Sequence, residues 1–335
     1  MNLQMETNMV GEEQMIMQSL QRLGELLPRD VISLRGLGRA AIEAVFRAAQ
    51  CLERAAAASY ARTLKGKIGV VMFYQPSTRT RLNFESAILR LGGAVTGFAD
   101  AKTTRAGDYY QESLDDVIRF SGELGDILVL RHFDTGAAQR AAAMSPVPLI
   151  SAGDGYNEHP TQGLGDLWTM HKLLGGLDGA TIALVGDANI RSLKSIIFGL
   201  AAFRPRKLIL VPPPLKEVPK VTADSLNDAG IPWEIGDDVN GLVSTVDLIE
   251  TIGIRHPNHN APIDQSKDEK ATPERYRLKR AAFEKSGRAA WILHPGPRSD
   301  EIENAIDALP QARYFEQARN GLFVRMALIG AMLSR

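Results

Sequence analysis

From Ser77 to Arg81 the chain reads Ser-Thr-Arg-Thr-Arg, three hydroxyls and two guanidinium groups in five residues. Hydroxyls donate to the oxygens of an anion, and arginine adds a planar fork that matches phosphate. The backbone decides whether these groups act together. The apolar run Ile68–Phe73 predicts a buried strand, and a Pro76-Ser77 turn follows it. Leu82, Phe84, Ala87, Ile88 and Leu91 then recur near helical spacing. Ser77, Thr78, Arg79 and Thr80 are therefore expected where a strand delivers the chain into a helix N-terminus. Unpaired N–H groups and the positive end of the helix dipole already favour an anion there. The cradle is built without the glycines or lysine of a P-loop. The plainer reading makes Ser77 a helix cap and leaves Arg79 and Arg81 on a solvated face.

Three further segments bear on that choice. Pro160 disfavours helical geometry at His159 and suits the first position of a helix, so His159 is held just outside it. Gln162 falls in the first turn, and imidazole and carboxamide can both donate to a carbonyl oxygen. Arg131-His132 follows the apolar run ending at Leu130, where open parallel sheets place ligand contacts. His294-Pro295-Gly296-Pro297-Arg298 follows the strand expected at Ala290–Leu293. Its prolines fix φ and leave carbonyl oxygens to offer. Each of these has a structural reading of its own: a helix entrance, a surface arginine, a rigid turn. Gathered at the edge of doubly wound sheets, they make a consistent site for a phosphate beside a polarised carbonyl.

The elements that would gather them recur along the chain. Strands are expected at Ile68–Phe73, Ala94–Phe98, Ile127–Leu130 and Val147–Ile150, then at Thr181–Val185, Leu208–Val211, Val246–Ile249 and Ala290–Leu293. Helical patterns lie between them, including Ser192–Phe203, Val221–Ala229 and Arg275–Glu284, as parallel crossovers require. The fold class is α/β, two doubly wound parallel-sheet domains joined by helices. The division runs 1–25 as an N-terminal extension, 26–159 and 160–305 as the two domains, and 306–335 as a C-terminal helix packing back on the first. The extension, helical to about Arg22, reads as loosely attached. The stretch Asn258–Pro273 has no apolar period and reads as a long loop.

A length of 335 residues fits two domains. Lys+Arg and Asp+Glu both number 39, so bulk charge gives no case for nucleic acid or an anionic membrane. No run approaches the roughly 18 apolar residues of a membrane span. The single cysteine, Cys51, has no partner for an internal disulfide and is expected to be a buried small hydrophobe. The N-terminus has no signal-like core, and the expected location is the cytoplasm.

Taken jointly, these residues resemble the aspartate/ornithine carbamoyltransferase family from about Leu26 to Arg335. Ser77-Thr78-Arg79-Thr80-Arg81 matches the family's carbamoyl-phosphate signature, and His159-Pro160-Thr161-Gln162 its second motif. Arg131-His132 and His294-Pro295-Gly296-Pro297 also fit. Ala152-Gly153-Asp154-Gly155 and the ending Tyr314-Phe315-Glu316-Gln317-Ala318 with Asn320-Gly321 look like the aspartate branch. The resemblance implies a carbamoyl-phosphate domain, an acceptor domain, and a homotrimer whose active sites are shared through a loop donated by the neighbour. It implies no metal and no organic cofactor. By it, Ser77, Thr78, Arg79, Thr80, Arg131, His159, Gln162, Pro295 and Gly296 bind carbamoyl phosphate, with Arg79, Thr80, Arg131, His159 and Gln162 catalytic.

The acceptor side departs from the aspartate pattern. Tyr110 falls where the donated loop usually has lysine, with Lys102 and Arg105 earlier in that loop. Gly253 stands at the aspartate-binding arginine and Arg255 at the following glutamine. Arg191, after Gly186-Asp187, matches a retained acceptor arginine if one residue is deleted, and Gly296 completes the acceptor set. The expected reaction is carbamoyl transfer to the amine of a small amino acid, L-aspartate first. The alternatives are another acceptor, or a catalytically weak paralogue serving as an assembly subunit.

Overall fold

The computed structural model describes residues 3–107, 112–214, 216–253 and 272–334, as two compact units. One unit runs to Leu164 and resumes at Asn320; the other is Gly165–Arg319.

The first unit holds β1 (Ile68–Phe73), β2 (Ala94–Phe98), β3 (Ile127–His132) and β4 (Leu149–Asp154) in the order β2-β1-β3-β4, all parallel. β1, β3 and β4 are buried almost throughout, so their sequences read as continuous apolar runs instead of alternating. Val147–Ile150, expected as the fourth strand, is shifted forward. Pro148 has no N–H for the ladder, and it contributes only its carbonyl, to Leu128 N–H at 2.9 Å. The strand order turns back between β1 and β3, so the crevice of this sheet opens outside their carboxyl ends.

The N-terminal segment is a helix, Leu3–Leu26, and it is not loosely attached. Ile16, Leu20 and Leu23 fall on one stripe and are fully buried. Gly330 makes room for it, since a Cβ there would stand 2.9 Å from Leu20 Cδ1. Cys51, on the helix Arg39–Arg54, is half-buried and not part of the core.

The second unit holds β5 (Thr181–Val185), β6 (Lys207–Val211), β7 (Trp233–Ile235), β8 (Leu248–Thr251) and β9 (Trp291–Leu293) in the order β7-β6-β5-β8-β9, again all parallel. Here the order reverses between β5 and β8. The three-residue edge strand β7, with Glu234 at its centre, carries no apolar run to announce it. The helix expected over Arg275–Glu284 is broken into a 3₁₀ turn, Glu274–Tyr276, and a short helix, Arg280–Glu284. Between them Leu278 is drawn into a parallel bridge with Ile302, giving its N–H to the Glu301 carbonyl at 2.9 Å and accepting from Glu303 N–H at 3.0 Å. Most of the loop expected at Asn258–Pro273 lies outside the described residues. Among those residues, no helix is long and apolar enough to cross a membrane.

Leu20→Ala should lower the free energy of unfolding by about 2–5 kcal/mol in urea, the range for a large core deletion. A loss below about 0.5 kcal/mol would mean that the helix contributes no core.

Candidate active site

The site of the first unit grows from the ends of β1 and β3. Their parallel register sets Phe73 opposite Arg131, and Tyr74 N–H continues the pairing to the Arg131 carbonyl at 2.9 Å. Ser77 keeps extended geometry at φ −156° and caps the helix Thr78–Arg90, accepting the Thr80 N–H at 3.3 Å. Both readings of this serine thus coexist: it is a cap, and it stands at the helix N-terminus. Thr78 and Arg79 are exposed on the first turn, and no ion pair holds Arg79 among the described residues. Arg81 points elsewhere, into an i,i+4 pair with Glu85 at 2.7 Å.

Thr80 turns inward and is buried. Its hydroxyl lies 3.3 Å from Nε2 of His159, itself buried, so the two motifs meet although 79 residues apart in sequence. His159 stands at the entrance of the helix Pro160–Leu174, and its carbonyl accepts from Gln162 and Gly163 N–H, both at 3.0 Å. Gln162 therefore lies in the first helical turn, half-buried. Arg131, half-buried at the end of β3, reaches the Ala152 carbonyl with Nη1 at 3.4 Å.

Two buried carboxylates brace this arrangement. Glu158 accepts from Ser33 Oγ and from Leu34 N–H at 2.8 Å, which fixes the backbone just before His159. Asp154 accepts from Gly136 N–H at 2.8 Å and Ala138 N–H at 3.1 Å, and so holds the loop after Arg131. Neither role is readable in the sequence, because the partners are remote in the chain and most of them are backbone N–H groups. His132 is buried against Tyr74, ring centroids 4.5 Å apart, and its Nδ1 accepts from Asp134 N–H at 3.0 Å. Burial lowers its pKa and favours the neutral ring.

In the second unit, Gly186 follows β5 at φ +132°, and a Cβ there would meet Ile252 Cγ1 at 2.3 Å. Only glycine lets the β5 end pass this close to the chain leaving β8. Arg191 opens the helix Arg191–Leu200 and is buried, as is Lys194, whose Nζ donates to Asn189 Oδ1 at 3.1 Å. Lys194 is a second buried cation of this segment, and no motif in the sequence marks it. After β9, Gly296 adopts φ +76° and donates its N–H to Nδ1 of His294 at 2.8 Å. The imidazole proton then lies on Nε2, 2.7 Å from Glu301 Oε1. Burial pushes the Glu301 carboxyl up, but hydrogen bonds from His294 and Ser299 outweigh it and hold the group at about 2. Gly253 faces this carboxylate: a Cβ there would stand 3.5 Å from Glu301 Oε2.

The structure thus brings Ser77, Thr78, Arg79, Thr80, Arg131, His159 and Gln162 onto the first unit, with the direct contact between Thr80 and His159. Pro295, Gly296 and Arg191 belong to the second. Lys102 and Arg105 are exposed on the segment after β2, whereas Tyr110 and Arg255 lie outside the described residues.

Sequence models of known families match both units. The carbamoyl-P binding domain of aspartate/ornithine carbamoyltransferases matches residues 29–172, and the Asp/Orn binding domain matches residues 178–332. The chain belongs to the aspartate/ornithine carbamoyltransferase family. It is 39% identical over 306 residues to the chloroplastic aspartate carbamoyltransferase of Arabidopsis thaliana, covering 91% of this chain and 77% of that one. It is also 39% identical to the aspartate carbamoyltransferase catalytic subunit of Thermococcus gammatolerans, over 91% and 97% of the two chains. Among solved structures, the catalytic subunit of M. jannaschii aspartate transcarbamoylase superposes with a TM-score of 0.80 at 36% identity, over 91% and 98%. The Trypanosoma cruzi enzyme in complex with carbamoyl phosphate and aspartate gives 0.81 at 29% identity, over 92% and 96%.

Glu301 supplies a pH test. Its folded pKa, about 2, lies below its ordinary 4.5, so its stabilising contribution is complete above pH 4.5 and is lost as pH falls toward 2. The stability gap between wild type and Glu301→Gln should therefore be widest above pH 4.5 and close below it, measured by denaturant titration. A gap unchanged over that window would remove the carboxylate's role.

Proposed function

We propose that this carbamoyltransferase-family chain moves the carbamoyl group from carbamoyl phosphate to the amine of L-aspartate, yielding N-carbamoyl-L-aspartate and phosphate. The observation that carries the reading is the Thr80–His159 contact, set beside Arg131 and at the N-terminus of a helix with an uncommitted arginine. Ser77, Thr78, Arg79 and Thr80 hold the phosphate. Thr80, Arg131 and His159 donate to the carbamoyl oxygen, where negative charge develops as the amine lone pair attacks the carbonyl carbon. Gln162 and the Pro295 carbonyl orient the carbamoyl nitrogen. The C–O bond to phosphate then breaks, and the departing phosphate can take the amine proton. No side-chain nucleophile is needed, so acceleration comes from positioning and electrostatics.

Arg191, Arg255 and Gly296 form the acceptor set, and Lys102, Arg105 and Tyr110 belong to the loop given to a neighbouring copy in a homotrimer. Exposed Leu82, Leu89, Phe120 and Leu124 on the first unit support such an assembly. The expected location is the cytoplasm, although relatives in plants are named chloroplastic.

One observation favours a second reading, with an acceptor other than aspartate. Gly253 brings no cation and sits against the Glu301 carboxylate, an unfavourable neighbour for a dicarboxylate.

His159→Ala should lower turnover by roughly 100-fold or more, the usual effect of removing one oxyanion donor, and Arg79→Ala, which removes a phosphate ligand, by a comparable factor. Acceptor-dependent phosphate release from carbamoyl phosphate, corrected for spontaneous breakdown, reads this directly. Near-wild-type rates in either variant would refute the assigned chemistry. Release with another amine and none with aspartate would select the second reading.

A further inference from the structure

Behind the His294–Pro297 turn, the second unit buries a group of polar side chains that the reaction does not use. Glu250 lies in the middle of β8 and Asp166 on the helix Pro160–Leu174, both with no exposed surface. Gln317, on the helix Tyr314–Leu333, joins them. Its side-chain oxygen accepts the His294 backbone N–H at 2.7 Å. That bond orients the amide, so its nitrogen must face the other way. There it donates to Asp166 Oδ1 at 2.6 Å and to Glu250 at 3.0 and 3.3 Å.

One neutral amide therefore serves two buried carboxyl groups. Among the described residues, Gln317 is the only hydrogen-bond partner of the Glu250 carboxyl group, and no cation pairs with it. A fully buried carboxylate facing only an amide and a second carboxyl group would be very costly to ionise. Burial first, and then the charge of Asp166, push the Glu250 carboxyl well above its ordinary range. The other titratable groups nearby, His294 and Glu301, are already engaged with each other at 2.7 Å.

We propose that Glu250 is a positioning residue for the His294–Pro297 turn, acting through Gln317 as a neutral acid. The chain of contact is short. Glu250 and Asp166 fix the Gln317 amide, and the amide fixes the His294 N–H at the exit of β9. The His294 ring then receives the Gly296 N–H at 2.8 Å, which sets the peptide following Pro295. Its link to catalysis rests on the proposed function, in which the Pro295 carbonyl orients the carbamoyl nitrogen. Two carboxyl groups on one amide also explain why glutamine suits position 317: its carboxamide offers an acceptor to the strand and two N–H hydrogens to the acids.

The test combines two readouts independent of turnover with one that depends on it. Infrared difference spectra of wild type against E250Q, at neutral pH, should show a protonated-acid carbonyl band lost in the variant. Amide hydrogen exchange across 293–298 should accelerate roughly tenfold in E250A, the loss of about one net hydrogen bond, and return to the wild-type rate in E250Q. KM for carbamoyl phosphate should rise by a similar factor in E250A, with kcat less affected, and recover in E250Q. The absence of the acid band, or E250Q exchanging as fast as E250A, would overturn the proposal. If E250A does not fold, the band and the exchange rate of E250Q still decide it. A wild-type protein with the band and slow exchange but no carbamoyl transfer would defeat the proposed function and leave the positioning role standing.

Discussion

The parallel pairing of β1 with β3 is the constraint on which the first unit's chemistry depends. Because Phe73 is level with Arg131, the two strands end at the same sheet edge, and whatever follows each of them is delivered to one place. After β1 comes a helix N-terminus with its hydroxyls and Arg79, and after β3 comes Arg131. The β4 strand, paired on the far side of β3, leads through Glu158 to His159. A one-residue slip in this register would turn the strand's side chains to the opposite face and misplace all three groups. The near-complete burial of β1 and β3 makes such a slip costly.

Buried charge is tolerated only where it is answered. Glu158 and Asp154 are satisfied by backbone N–H groups, and each fixes a loop that carries a site residue. Glu301 remains ionised because His294 and Ser299 donate to it. Glu250 has only the Gln317 amide as a donor among the described residues, and burial with the charge of Asp166 favours its neutral acid form. An unmade bond at any of these positions costs about 1–3 kcal/mol, comparable with a sizeable share of the stability of a whole domain. The polar interior therefore selects one backbone path around each of these loops.

Much of this was legible in the sequence, and for physical reasons. Central parallel strands are apolar on both faces, so β1, β3 and β5 stand out as continuous runs. The Ser-Thr-Arg-Thr-Arg and His-Pro-Thr-Gln motifs stand out because they occur together in one chain; singly, each reads as an ordinary helix cap or helix entrance. Edge strands are half solvated and short, and β7 left no pattern. The docking of the N-terminal helix was hidden because its apolar stripe is narrow and its partner, Gly330, lies at the other end of the chain. The bracing carboxylates were invisible for a related reason. Asp154, Glu158 and Glu250 look like ordinary acids until the fold brings remote backbone or amide donors to them. The acceptor side was least legible, since Gly253 removes a signal and Arg255 lies outside the described residues.

The central claim is that the helix entrance after β1, with Thr80 and His159 in contact beside Arg131, is a carbamoyl-phosphate site. Calorimetric titration of the folded wild-type chain with carbamoyl phosphate, alongside Arg79→Ala, tests it without any assumption about the acceptor. The account predicts one saturable site per chain in wild type and its loss in the variant. Equal binding by both proteins, or none by wild type, would contradict it.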